Sequence, residues 1–367
     1  MRKPLCVFYV EKLKTLNMRI SLLLALAATL WLSNCKKDDE QPAGSLVEAG
    51  AGVLVTNEGG FNDGNASVSY FKFEGKSIEQ ELFAGVNGRP LGDILQSMAL
   101  VGETAYLVLN NSQRIEIVDV NTFESEGAIE VQGSPRYFLP IDDETAYVSD
   151  LFGGVIHVVS LSGRAVTASI PMPQGWTEQM IKVGTEVFVA SPSSSGQAPN
   201  RQLFVVDSEN HVLTDSIEVG LSPTALVQDA GGKLWALCSG DFDTGTPGGL
   251  YQVDPQTKSV LQSFPFPDNN IGFAPRLAID QAGQRLFYTK IDLYAMPVNA
   301  AALPAAPLIP ADGRGLYGLG IEPGTGYIWL GDAGDYKSRQ MIYRYDREGN
   351  LLDEALAGVA PNGFWFY

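Results

Sequence analysis

The sequence predicts an all-β fold: a seven-bladed β-propeller with four-stranded blades, its first blade closed by the C-terminal strand. Three observations predict it. From residue 51 onward there is no amphipathic helical stretch of a dozen residues, only short β-branched and aromatic runs broken by Gly, Asn, Asp and Pro. One segment recurs seven times, as VSYFKF (68–73), IEIVDV (115–120), IHVVSL (156–161), LFVVDS (203–208), LYQVDP (250–255), LYAMPV (293–298) and IYRYDR (342–347). Its fifth residues, Lys72, Asp119, Ser160, Asp207, Asp254, Pro297 and Asp346, stand 41 to 49 residues apart, the period of one all-strand blade. Finally, GVLVTNEG (52–59) has no inner strand before it and APNGFWFY (360–367) has no blade after it, so the last strand completes the first blade. Such closure removes the free sheet edges that invite aggregation.

Before the repeat lies an address. Residues 18–35, MRISLLLALAATLWLSNC, place one basic residue before an apolar run from Ile20 to Leu32 and end on small or polar residues and a cysteine. The run is short for a membrane span and has the layout of a secretory signal, which assigns residues 1–34 to a signal peptide. Residues 1–17 fit that layout poorly, so Met18 reads as the true start and Cys6 plays no part. Leu32-Ser33-Asn34-Cys35 resembles a bacterial lipoprotein box, which implies cleavage before Cys35 and lipidation of that residue. The alternative is an ordinary signal with an incidental cysteine. Lys36-Lys37-Asp38-Asp39-Glu40 resembles the surface-export signal of Bacteroidetes lipoproteins, the alternative being a solvated linker. Residues 35–50 then form the lipidated cysteine and a tether, and 51–367 the propeller.

Within each unit the strands follow one order. A Gly- or Pro-led segment such as GSPRYFLP, GWTEQMIKV, GLSPTALVQD, FAPRLAID or GLYGLGIE supplies the inner strand. The second strand is an apolar run such as TAYLVL (104–109), TAYVSD (145–150) or KLWALC (233–238). The recurring segment is the third, and a tight turn leads to the fourth.

Composition removes whole classes of function. The 367 residues carry 25 Lys and Arg against 42 Asp and Glu, a formal net charge of −17. So acidic a surface repels phosphate backbones and offers no basic patch to anionic lipid. Three cysteines (Cys6, Cys35, Cys238) make no disulfide framework, and no two are spaced as metal ligands. The two histidines, His157 and His211, fall in or just after third strands, away from the expected binding face, which argues against general-base histidine chemistry.

That face is set by loop lengths. The 1–2 hairpins are short (101–104, 142–145, 230–233, 323–326), as are the 3–4 turns. The 2–3 loops are long at 58–66, 192–202, 239–249 and 333–340. Insertions on one face of a repeat protein mark its binding face, unless they are merely tolerated solvated loops. Together with the segments leading into the inner strands they offer Asn57, Glu58, Phe61, Asp93, Gln96, Asn110, Asn111, Arg136, Tyr137, Asp150, Phe152, Trp176, Glu178, Gln179, Phe242, Arg276, Arg314, Tyr317 and Tyr336 as ligand-binding candidates. Trp176 either faces the central mouth or packs between blades. Phe364 and Trp365 read first as packing of the closing strand.

The second-strand motif Val55-Thr56-Asn57, with a looser copy at Tyr147-Val148-Ser149, resembles the YVTN/YncE-like propellers. LVTNEG (54–59), LGDILQSM (91–98) and WTEQM (176–180) are similar to Bacteroidetes surface lipoprotein propellers of the BtuG type. The resemblance implies an outer-membrane, lipid-anchored protein facing the cell exterior. It implies non-covalent capture of a corrinoid, hand-over to a TonB-dependent outer-membrane transporter, no turnover and no further cofactor. Asn, Gln, Asp and Glu suit the amide fringe of such a ligand, Arg its phosphate, and Tyr and Trp its macrocycle edge. Two rival classes remain. A metal-dependent lactonase would draw oxygen ligands from Glu58, Asp93, Asp150 and Asp332, although no contiguous calcium-loop spacing occurs. An adhesion module would present the same face to glycan or protein.

Overall fold

In the computed structural model the chain describes residues 45–193, 196–272 and 274–367. The expected signal peptide, Cys35 and most of the tether lie outside these residues. Among the described residues no helix is long and apolar enough to cross a membrane.

Seven antiparallel sheets form seven blades. Their inner strands are Pro361–Trp365, Leu95–Val101, Pro135–Pro140, Met180–Val183, Pro223–Gln228, Leu277–Ile279 and Leu316–Ile321, each against the next around the axis. The ring closes as the sequence predicts. The C-terminal strand pairs with Gly52–Asn57, in a register that sets Trp365 opposite Leu54, Phe364 opposite Val55 and Gly363 opposite Thr56. Val53, Val55, Phe71, Trp329, Ile342, Ala357 and Phe364 fill the junction between the last blade and the first. Gly318 lets the closing strand pass, since a Cβ there would stand 2.7 Å from the Pro361 carbonyl oxygen.

Second strands are covered on both faces by neighbouring blades, and they are apolar throughout for that reason. Every residue of Gly52–Asn57 and of Leu234–Cys238 is buried. Fourth strands face solvent and carry polar residues, as in Val212–Glu218. The recurring aspartates mark turns. The Oδ1 of Asp119 accepts from the N–H groups of Asn121 and Thr122, that of Asp207 from Glu209 and Asn210, and that of Asp346 from Glu348 and Asn350. These are Asx turns at the 3–4 connections, which explains why the fifth position repeats. Phe123, His211 and Lys258 follow in the left-handed region at φ 61°, 55° and 51°.

Two features depart from a uniform ring. The sixth blade has three strands, Leu277–Ile279, Arg285–Thr289 and Leu293–Pro297, where four were expected. Its outer edge is followed by a stretch with Pro304, Pro307 and Pro310, which lack the N–H a fourth strand needs. Only an isolated bridge, Leu293 to Ile309, forms there. In the segment read as tether, Leu46 and Val47 donate to the Asn121 carbonyl at 2.7 and 3.1 Å, and Val47 is buried. The described end of the tether therefore lies against the second blade. A short helix, Leu82–Asn87, links the first blade to the second and buries Leu82 and Phe83.

Candidate functional site

In an antiparallel blade the second strand ends on the face where the first begins. The long 2–3 loops and the starts of all seven inner strands therefore share one face, and the short hairpins and Asx turns take the other. At its centre lies a cavity of about 280 Å³. Each blade contributes to its wall: Glu58, Gln96, Arg136, Glu178, Thr224, Arg276 and Tyr317, in blade order. A second cavity of about 280 Å³ continues along the inner strands, lined by Thr56, Ser97, Leu277, Asn362 and Trp365 among others. Gln96, Tyr137, Gln179 and Arg276 line both.

Two polar clusters occupy the mouth. In the first, Arg136 Nε donates to Glu178 Oε2 at 2.9 Å and Nη2 to Oε1 at 2.6 Å, while Nη1 donates to Gln96 Oε1. The Trp176 indole N–H donates to Glu178 Oε2 at 2.6 Å, and the Arg136 guanidinium stands 5.8 Å from the Trp176 ring centre. Burial alone would lower the pKa of Arg136. The charge and hydrogen bonds of Glu178 outweigh it and hold the guanidinium above its ordinary range.

In the second cluster the Tyr317 hydroxyl donates to Glu58 Oε2. Burial pushes the pKa of Glu58 up, against the smaller opposing effects of the Tyr317 hydrogen bond and of Arg276. Burial and then the Glu58 charge push Tyr317 well above its usual value. Arg276 lies over the Tyr317 ring at 4.8 Å and donates from Nε to the Tyr317 carbonyl at 2.8 Å. Tyr336 meets Tyr317 edge-on, with ring centres 5.5 Å apart.

Of the residues singled out from the sequence, the cavity thus gathers Glu58, Gln96, Arg136, Tyr137, Trp176, Glu178, Gln179, Arg276 and Tyr317, with Tyr336 behind them. Trp176 faces the mouth. Trp365 faces the second cavity rather than serving packing alone, and its buried indole N–H has no partner among the described residues.

The others sit elsewhere. Asn57 is buried, reaching Ser69 Oγ at 3.0 Å and accepting from the Gly358 N–H at 2.9 Å, so it ties the first blade to the last. Asn110 donates to the Pro135 carbonyl at 3.0 Å. Asp93 accepts from Asn62 N–H and Asn111 Nδ2, bracing two loops. Asp150 accepts from the N–H groups of Ser134 and Phe152 at 2.8 Å and lies 3.3 Å from His157 Nε2, which orders its loop. Arg314 donates to the carbonyls of Ala311 and Pro310. Phe61, Phe152 and Phe242 stand out from the 2–3 loops of the first, third and fifth blades, each at least 70 % exposed.

Thr224, Ala225, Leu151, Ala274 and Pro275 also line the mouth and were not singled out. A signal was present for Thr224: Pro135-Arg136, Pro223-Thr224 and Pro275-Arg276 repeat the same entry into an inner strand.

The oxygens proposed for a lactonase metal do not converge. Glu58 serves Tyr317, Asp93 and Asp150 brace separate loops, and Asp332 accepts from the N–H groups of Gly315 and Gly334. Among the described residues no three His, Cys, Asp or Glu side chains are grouped to hold a metal ion. His211 lies in a 3–4 turn, its Nδ1 2.7 Å from the Tyr147 hydroxyl. Cys238 is buried, and burial pushes its thiol pKa up, away from reactivity.

A family model described as "Domain of unknown function (DUF5074)" matches residues 51–355. A comparison with curated proteins finds none that matches. Among solved structures, the chain is similar to a quinoprotein alcohol dehydrogenase-like protein from Bacteroides thetaiotaomicron, at 14 % identity and a TM-score of 0.67 over 86 % of this chain and 78 % of that one. It is similar to a provisionally assigned 6-phosphogluconolactonase from Bacteroides uniformis, at 12 % identity and a TM-score of 0.64 over 86 % of this chain and all of that one. It is also similar to the hydrazine synthase of Kuenenia stuttgartiensis, at 13 % identity and a TM-score of 0.56 over 71 % and 86 %. At such identities the likeness is one of fold.

Proposed function

The chain belongs to the DUF5074 family, and for this propeller we propose non-covalent capture of a polar small molecule at the loop-bearing mouth. The observation that carries the reading is the convergence of at least one residue from each of seven blades on a single cavity rich in amide, guanidinium, carboxyl and phenol groups. A binding role needs no nucleophile, general base or metal. The carboxylates there are engaged by Arg136, Trp176 and Tyr317 rather than left open for proton transfer.

The finer reading is that the ligand is a corrinoid. Its macrocycle is far larger than the cavity and would lie across the loops, with one substituent directed inward. The exposed Phe61, Phe152 and Phe242 rings offer rigid apolar area on those loops. The protein would then be a lipoprotein anchored through Cys35 at the cell surface, handing its ligand to a TonB-dependent transporter. The lipoprotein box, the acidic stretch after it and the likeness to surface propellers support that placement.

Calorimetry of the purified chain with cyanocobalamin and cobinamide tests the reading. Saturable one-to-one binding, lost with changes at the mouth, is the expected result. No heat with either from a folded protein refutes the corrinoid and turns the search to glycans and to chelator-sensitive lactone hydrolysis.

A further inference from the structure

The waist of the axial channel has an imbalance of hydrogen-bond partners. Gln96 Oε1 accepts from Arg136, and Gln179 Oε1 accepts from the Leu226 backbone N–H at 3.1 Å. Both donors can only donate, so both amide orientations are fixed with the oxygen toward protein. The two amide NH₂ groups are left over, and neither has a partner among the described residues. Arg276 spends Nε on the Tyr317 carbonyl. Among the described residues its terminal nitrogens make no hydrogen bond and no direct ion pair, and the charges of Glu58 and Glu178 act on it only at longer range.

The charged groups nearby are otherwise engaged: Glu178 by Arg136 and Trp176, Glu58 by Tyr317. Below, the buried Trp365 indole N–H also lacks an acceptor among the described residues. Donors thus outnumber acceptors where the two cavities meet, and among the described residues the guanidinium there has no directly paired carboxylate, only the longer-range charges of Glu58 and Glu178.

We propose that this waist, formed by Gln96, Tyr137, Gln179 and Arg276, seats an anionic oxygen group of the ligand, a carboxylate or a phosphate. The group accepts from the Arg276 fork and the two amide NH₂ groups, which a neutral amide could satisfy only in part. The inference rests on the mouth being the binding face, not on the ligand being a corrinoid.

The test is titration of inorganic phosphate, and separately of acetate, into the full chain labelled with ¹⁵N in tryptophan, following the indole N–H resonances. The Trp365 signal, assigned with Trp365→Phe, shifts to saturation. The signals of Trp235 and Trp329, whose indoles donate to Asp229 and Glu322, stay still and report an intact fold. Arg276→Gln weakens the apparent affinity roughly tenfold or more, and Arg276→Lys, which keeps the charge, weakens it less. Response to phosphate alone assigns a phosphate, and response to acetate alone a carboxylate. A shift that matches sodium chloride, or that is the same in Arg276→Gln, overturns the proposal. If phosphate binds through Arg276 but no corrinoid does, the anion seat stands and the corrinoid falls. If cyanocobalamin binds wild type and Arg276→Gln alike and phosphate gives no saturable response, the reverse holds.

Discussion

Arg136 and Glu178 open the inner strands of neighbouring blades and grip each other through two hydrogen bonds of 2.9 and 2.6 Å, both side chains largely buried. The pair fixes the mouth's shape and cancels its own charge. Removing one partner strands the other in a dry site, a loss of about 3 to 5 kcal/mol, whereas replacing both costs much less. Arg136→Met should therefore lower the unfolding free energy by about that amount, and Arg136→Met with Glu178→Leu should recover part of it. Urea unfolding of the four members of this cycle checks the expectation. A double variant as unstable as the sum of the singles would show that the two side chains do not depend on each other.

Glu58 gives the mouth a pH signature. Its folded-state pKa is raised above the ordinary 4.5, chiefly by burial, so the folded protein holds this proton more tightly than the unfolded chain. Below the ordinary value both states are protonated and the neutral carboxyl sits at no penalty. As pH rises from there through the folded-state value, the unfolded chain ionises first and stability falls. Glu58→Gln removes that slope, leaving a more stable protein at neutral pH and an unchanged one in acid. Denaturation midpoints of both proteins across this pH range decide the matter, parallel curves being the adverse result.

Asn57 separates fold from function. Asn57→Ala leaves the Gly358 N–H without its acceptor inside the junction of the first and last blades, a loss of about 1 to 3 kcal/mol. The cavity walls lie elsewhere, so ligand affinity measured on the remaining folded protein should not change. Gly318→Ala should act likewise. Its new Cβ crowds the Pro361 carbonyl, at a cost of about 1 to 3 kcal/mol. Equilibrium unfolding alongside calorimetry tests both.

These contrasts show which parts of the molecule the sequence reveals. Blade number and closure are legible because Asp119, Asp207, Asp254 and Asp346 cap the same turn and because second strands buried on both faces read as apolar runs. The missing fourth strand of the sixth blade was written in Pro304, Pro307 and Pro310, but the repeat alone hides it.

The mouth is harder to read. Asn57, Asn110 and Asp150 look like ligand groups in a sequence, yet each satisfies a backbone group left over at a strand end or loop. Residue type cannot tell a side chain that serves the backbone from one that serves a ligand. The entry position of the inner strand can, because it points each blade's side chain at the axis. That geometry brings together Gln96, Arg136, Arg276 and Tyr317, and it adds the unremarked Thr224.

Trp176 offers the sharpest test of the mouth as a binding surface. Its indole N–H holds Glu178 Oε2 at 2.6 Å and its ring flanks Arg136, so it is rigid and lines the cavity. Trp176→Phe keeps the Arg136 pair intact while removing one hydrogen bond to a charged acceptor, which lowers stability by about 1.5 to 3 kcal/mol. It also removes ring area that a bound ligand would cover. Ligand affinity should fall roughly tenfold. Tryptophan fluorescence of the wild type should change on titration with the ligand that calorimetry identifies, and that change should shrink in Trp176→Phe to what Trp365 in the adjoining cavity contributes. A variant that binds as tightly as wild type, with its fluorescence response retained, would move the binding surface away from this mouth and out onto the loops that carry Phe61, Phe152 and Phe242.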